Sequence, residues 1–531
     1  MKISSKNMRG KVLVMSCLLF CLFTFSPLTA QNPNWAKKAA NAVFTLKTFD
    51  ASNQLIGSTN GFFINGDGEA VSSYLPFKGA QRAVIIDAQG KEQEVTCMLG
   101  ANDMYDVAKF RVNSDKNAVL SLDSTTTGGT VWLLPYTVKK TPACQRGMVS
   151  NAEKFQDKYT YYTIDMQAGE QHIGCPLLNE QGAAVGILQP SAQGKSTTAY
   201  AVSVFFAVDM HIKGLSINDP TLRSTAIPLA IPDNLNDALL SLYMAKSTMK
   251  DEAYDSYLER FIQQYPNSTD GYVYRAHQHM ARNDFQAADE DMKLAVSISD
   301  KKDEAHFQYA QLIYQKELYQ NDLPYDGWSL SRALEESQAA YRENPHPVYL
   351  QQQAQILFAQ KQYDTAYNLY MELSKSTLRS ADIFYAAAQC KLEQEDKKTA
   401  LAMLDSAVST FTRPYVKTAS PYLQQRARLA MDLRRFHQTI EDMKEVVSLE
   451  PTDALLWAEK GSYEVRLNLN EEAQKSAEEC IRLDPQNGDG YLILGIALCG
   501  KGQKTEGLQN LEKAKELGNS QAQSMIEKFS K

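Results

Sequence analysis

A spacing of 34 residues constrains this chain more than any other feature. It separates Gly461 from Gly495, Trp457 from Tyr491, Ala473 from Gly507, Cys480 from Ala514 and Pro451 from Pro485. A fixed period of this size marks stacked copies of one small unit rather than one large core. No copy can bury its own apolar face, so neighbours must stack. Small residues recur where two helices must cross closely, and proline recurs where the second helix has to end.

The rule runs back to about Leu235. Ala276 and Ala310 keep the interval, as do Ala354 and Ala388. Eight helix pairs are expected over 235–531, with Gln521 to Phe529 as a closing cap. About ten extra residues, Lys316 to Trp328, split the third pair, and about five near Phe411 to Lys417 precede the sixth. Aromatics in the first insertion (Tyr319, Tyr325, Trp328) either form a contact site or fold back on their own repeat.

One copy reads Tyr491, Leu494, Gly495, Leu498, Gly507, Leu511 and Ala514. This order resembles a tetratricopeptide repeat. The resemblance implies a superhelix whose concave face, built from the first helices, binds protein or peptide. Carried onto this sequence, that face holds Phe307, Gln311, Tyr314, Gln351, Gln355, Phe358, Tyr385, Gln389, Gln424 and Arg428. Amides donate and accept, which suits the backbone of an extended chain. The Lys/Asn set that some such proteins use for a terminal carboxylate is not recognisable. Solvated surface without a dedicated ligand stands as the plainer alternative.

The N-terminus reads differently. Lys2, Lys6, Arg9 and Lys11 precede the apolar run Val12 to Phe25 and then Ser26-Pro27-Leu28-Thr29-Ala30. That run is shorter than the about 20 residues a membrane span needs. A secretory signal peptide over 1–30, cut after Ala30, is expected, with no transmembrane segment in the mature chain. Cleavage leaves 51 basic against 62 acidic residues, a formal charge of −11. This argues against nucleic acid or anionic lipid surfaces as partners. Six cysteines remain, three in each half, so a disulfide-dense scaffold is not expected although one bridge is permitted. No Cys-x-x-Cys occurs, and His277 and His279 point to different faces of a helix, so neither metal nor cofactor is expected.

From Gln31 to about Leu215, short alternating runs with turn signals predict strands of a sandwich or barrel pair. Gly61-Phe62-Phe63-Ile64, Gly68, Gly79-Ala80 and Asp106-Val107-Ala108 come in that order. Gly174-Cys175-Pro176-Leu177-Leu178-Asn179, Gly182 and Val185-Gly186-Ile187 follow. Together they resemble a trypsin-like serine protease of the periplasmic quality-control type. The resemblance implies a double barrel and a His-Asp-Ser triad. It also implies that Ala201-Val202-Ser203 is the strand that pairs with substrate backbone. The triad positions, counted from Gly79 and Pro176, fall on Leu75, Asp106 and Ile173; only the aspartate is kept. Losing the nucleophile costs about 10⁶ in turnover, taking about 10 events per second to about one per day. A Cys-His enzyme using Cys175 with His172 or His211 is the competing chemistry, against a small buried cysteine.

A Pro-rich strap is expected over 216–234, extended and packed on one domain. The fold class expected is a multidomain chain: an all-β trypsin-like double barrel followed by an all-α tetratricopeptide superhelix. The expected function is an exported, periplasmic or envelope-associated, non-enzymatic interaction or scaffold protein. Its protease-like cleft either still binds peptide by strand pairing or is structural. The alternatives are a peptidase with a displaced nucleophile and a structural subunit of an envelope complex.

Overall fold

In the computed structural model, residues 32–114, 116–138, 141–190 and 197–531 are described. The signal peptide expected over 1–30 lies outside them. The chain divides into two compact units, Met1–Pro266 and Asn267–Lys531.

The first unit holds two closed barrels. Strands β1 (Val43–Phe49), β2 (Leu55–Phe63), β3 (Glu69–Ser72), β4 (Arg82–Ile86), β5 (Glu92–Asn102) and β6 (Val107–Val112) close in the order β1-β2-β3-β6-β5-β4. Strands β7 (Thr130–Leu133), β8 (Gln145–Phe155), β9 (Tyr159–Asp165), β10 (Pro176–Leu178), β11 (Ala184–Leu188) and β12 (Thr198–Ser203) close in the order β10-β11-β12-β9-β8-β7. Counted from its own first strand, each barrel has the same antiparallel ring. Phe44, Phe63 and Phe110 pack edge-on inside the first barrel, at 5.0 and 6.1 Å between centroids. Tyr162, Ile164, Val131, Leu133 and Leu177 fill the second. Gly68 turns β2 into β3 at φ +81°, and a Cβ there would stand 2.3 Å from the Val112 carbonyl oxygen, so only glycine fits.

The expected strap is ordered against the first barrel. Gly79 N–H donates to the Ser224 carbonyl, Ala226 N–H to Ala80, Met98 N–H to Pro228 and Ala230 N–H to Met98, all at 2.7–2.9 Å. Helices Leu235–Thr248 and Asp251–Gln264 follow within the same unit. Arg260 Nη1 reaches back to the Leu229 carbonyl at 2.6 Å.

The second unit is all-helical. Seven helix pairs run from Thr269–Ala281 to Lys504–Glu516, and Ala522–Ser530 closes the series. First helices of successive pairs touch one another, as Ala454–Arg466 and Gly488–Gly500 do. Gly495 sits where a Cβ would meet the Leu511 side chain and the Gly507 carbonyl at 2.7–2.8 Å, the close crossing implied by the period. The insertion in the third pair folds back. Trp328 is 4 % exposed, lies 6.0 Å from Phe285 and donates Nε1–H to Asp289 at 2.9 Å. Tyr325 and Tyr309 donate to the same carboxylate. Only Tyr319 projects, 81 % exposed. Among the described residues no helix is long and apolar enough to cross a membrane.

Candidate functional site

Two loops of the first unit meet on β2. The 3-10 turns Leu75–Phe77 and Glu170–His172 both pack on it. Ile173 follows that second turn. Its carbonyl accepts from Asn60 N–H at 3.1 Å, Asn60 Nδ2 at 3.1 Å and Thr59 Oγ1 at 2.8 Å. Its own N–H donates to the Glu170 carbonyl at 3.2 Å. Gly174 comes next, at φ +77°, where a Cβ would stand 2.1 Å from the Asn60 carbonyl oxygen.

Asp106 sits in the left-handed region at φ +46°, a conformation that Asp tolerates better than most residues. One carboxylate oxygen accepts Leu75 N–H at 2.7 Å and the other the Ser73 hydroxyl at 2.5 Å. Burial pushes this carboxyl up, and the bonds from Ser73, Leu75 and Tyr74 only partly oppose it. Among the described residues no imidazole is a partner of Asp106. Leu75 is 60 % exposed. Cys175 is fully buried, and burial drives its thiol pKa far up. His172 accepts Gly169 N–H at Nδ1, 3.2 Å away, and burial lowers its pKa. His211 Nδ1 lies 2.9 Å from the Asp209 carbonyl.

In the second unit, Gln389, Gln424 and Arg428 gather around two hollows. One, of about 240 Å³, is lined by Gln389, Gln425, Arg428, Tyr463 and Arg466, among others. The other, of about 590 Å³, is lined by Gln424, Arg428, Leu455, Glu459 and Ile493, among others. Arg428 borders both. It donates Nε and Nη2 to the two oxygens of Glu459, which also accepts Gln424 Nε2 and the Tyr463 hydroxyl. Burial raises the Glu459 pKa, but these donors outweigh it and hold the carboxyl below its usual range. Arg466 is exposed and has no charged partner among the described residues. Glu459, Gln425, Tyr463 and Arg466 escaped the sequence reading, although Gln425 and Glu459 are themselves 34 apart.

The remaining repeat candidates are not brought to those hollows. Gln311 Oε1 accepts Gln352 Nε2 at 3.4 Å. Tyr314 and Phe358 pack against core clusters. Phe307 lies 5.5 Å from Tyr349, Phe358 5.3 Å from Tyr363 and Tyr385 5.9 Å from Tyr422. Gln351 is half-buried and Gln355 exposed. Among the described residues no group of three or more His, Cys, Asp or Glu could hold a metal ion.

Residues 59–187 match the family model of the trypsin-like peptidase domain. Residues 331–407 match that of anaphase-promoting complex, cyclosome, subunit 3, and residues 454–487 that of the tetratricopeptide repeat. The chain carries a trypsin-like domain followed by tetratricopeptide-type repeats. Among solved structures, HtrA-type protease AlgW with tripeptide is 16 % identical at a TM-score of 0.29, covering 33 % of this chain and 61 % of that one. The Rv3671c protease from M. tuberculosis, in its active form, is 15 % identical at 0.30, covering 38 % and 88 %. The chain thus spans about three fifths of the length of the HtrA-type chains it matches. No curated protein matches.

The last candidate, Ser203, ends the final strand of the second barrel. Strand β12 is paired with β11 through Gly186–Ser203 and with β9 from Thr198 to Val202. Ser203 is 4 % exposed, and a helix begins at Val204. The β9 ladder ends at Val202, so at Ser203 only the β11 side is taken, by Gly186.

Proposed function

We propose that this is an exported, non-enzymatic interaction or scaffold protein. Its trypsin-like domain serves as a rigid platform, and its repeats take a protein or peptide partner. The observation that carries the first half is the state of Asp106. Its two oxygens are occupied by Ser73 and Leu75 N–H, and the other triad positions, Leu75 and Ile173, offer neither base nor nucleophile. The Ile173 N–H, at the nucleophile position, is engaged by Glu170 and so is turned from any developing oxyanion. Support for the second half comes from the row Gln389, Gln424 and Arg428, converging on two hollows, the larger of which, about 590 Å³, is of ligand-binding size.

A crosslinking capture from the native envelope with the full chain tests both halves. The expected result is one dominant partner, lost with Gln389→Ala/Arg428→Ala and kept with Leu75→Ala, and no casein cleavage above a heat-unfolded control. Cleavage that disappears with Cys175→Ala would sink the non-enzymatic reading. Many unfolded clients lost with Leu75→Ala would move recognition to the barrels.

A further inference from the structure

A third hollow, of about 310 Å³, lies wholly within the first unit, between the strap and the first helix pair. Its volume is at the lower end of the range for small-molecule sites, about 300–1,000 Å³. Ile217, Leu222, Ile227, Leu229 and Met249 supply apolar wall. Two guanidinium groups, Arg223 and Arg260, share the lining, and no carboxylate does.

Arg260 is the unusual member. It is half-buried. Nη1 donates to the Leu229 carbonyl at 2.6 Å and Nε to the Ser256 carbonyl at 3.3 Å. The guanidinium stands over the Tyr257 ring, 5.4 Å from its centroid. Both acceptors are neutral, and no carboxylate among the described residues pairs with it. Three of its five N–H donors have no acceptor among the described residues. A cation partly withdrawn from water without an anion carries a desolvation cost, and the same burial holds the Arg260 pKa below the usual arginine range. Tethering the strap needs only one neutral donor, so the tether does not explain a guanidinium here.

We propose that this hollow binds an amphipathic monoanion: a carboxylate or phosphate head on an acyl-sized apolar tail. The head pairs with Arg260 through a forked, charge-assisted contact. Arg223 at the exposed rim adds a second positive charge, and the tail covers Ile227, Leu229 and Met249.

Titration calorimetry of the full chain with decanoate, decyl phosphate and decyltrimethylammonium, below their micelle concentrations, tests this. At least one anion is expected to bind at one site per chain, and the cation not at all; the tighter anion identifies the head group. Arg260→Met, which keeps the apolar stem, is expected to weaken the anion at least tenfold. Ala226→Phe fills the hollow from an exposed strap position and leaves the tether to Leu229 untouched. It is expected to weaken the anion as much, with the unliganded melting temperature unchanged. Should Arg260→Met fail to fold, Ala226→Phe decides. The proposal is overturned if neither anion binds, if the cation binds as tightly, or if Ala226→Phe keeps wild-type affinity.

Discussion

Arg428 and Glu459 form a two-point ion pair, Nε to Oε1 at 2.6 Å and Nη2 to Oε2 at 3.0 Å. The pair joins helix Ser420–Asp432 to helix Ala454–Arg466, the first helices of successive repeats. It therefore fixes both the stacking and the shape of the hollows on either side. Glu459 titrates below its usual range in the folded chain. A carboxyl with a depressed folded pKa adds stability above its unfolded value, about 4.3, and loses it as pH falls through the folded value. Arg428 is half-exposed, with 48 % of its side chain in solvent, and screening keeps the contribution near about 1 kcal/mol. Arg428→Ala is expected to lower the unfolding free energy read from urea denaturation by that amount at pH 7, with the difference from wild type shrinking below about pH 4. A difference that grows in acid would contradict the assignment.

Asp289 is a stronger case. The residue is 3 % exposed, and its carboxylate accepts from Tyr309, Tyr325, Trp328 and Lys293. Burial pushes its pKa up, and these four donors together bring it below the usual carboxylate range. Asp289→Ala orphans three aromatic donors, two of them on buried residues. The expected loss is about 3 kcal/mol or more, with Trp328 fluorescence shifting to that of a solvated indole. An unchanged spectrum would mean that Phe285 and Tyr309 hold the loop without the carboxylate.

The repeats were legible because one helix pair writes its packing into a single 34-residue interval: Gly495 and Ala514 are small for a reason that recurs. The double barrel was legible through its turns, such as Gly68, where only glycine fits. What sequence did not reveal depends on partners distant along the chain. Trp328 finds Asp289 across 39 residues, so whether its loop would fold back or project stayed open. The surroundings of Ser203 are likewise set by distant strands: Gly186 on β11 pairs with it, and the β9 ladder stops one residue earlier. Glu459 was overlooked because the reading followed amides and aromatics and passed over charge on the same helix face.

Cys175 bears on the competing chemistry. The nucleophile of a thiol enzyme is the thiolate. Cys175 is fully buried and its thiol is driven up by that burial, so it lacks both access and ionisation. Iodoacetamide at pH 8 is expected to modify the half-exposed Cys144 and Cys499 well before Cys175, as read by peptide mass spectrometry. Rapid labelling of Cys175 in the native chain would reopen the displaced-nucleophile reading.

The strap makes a last prediction about where the first unit can be cut. Leu222, Ile227 and Leu229 are 4 %, 4 % and 8 % exposed, and each buried aliphatic side chain is worth about 1.5–3 kcal/mol. Four backbone hydrogen bonds tie the strap to Gly79, Ala80 and Met98, and the Tyr74 hydroxyl adds one to the Thr221 carbonyl at 2.8 Å. At about 1 kcal/mol each, the sum is of the same order as the whole stability of a domain, about 5–15 kcal/mol. A chain of residues 32–215 is therefore expected to unfold or aggregate at 25 °C. A chain of residues 32–266 should melt in one cooperative step, since it keeps the strap and the helix pair that Arg260 anchors to it. Tyr74 adjoins Leu75 and lies on the segment that packs beside Asp106, so the shorter chain should also lose protection of the Leu75 amide in hydrogen exchange. If residues 32–215 fold with an undiminished midpoint, the strap is a passenger and the barrel closes without it.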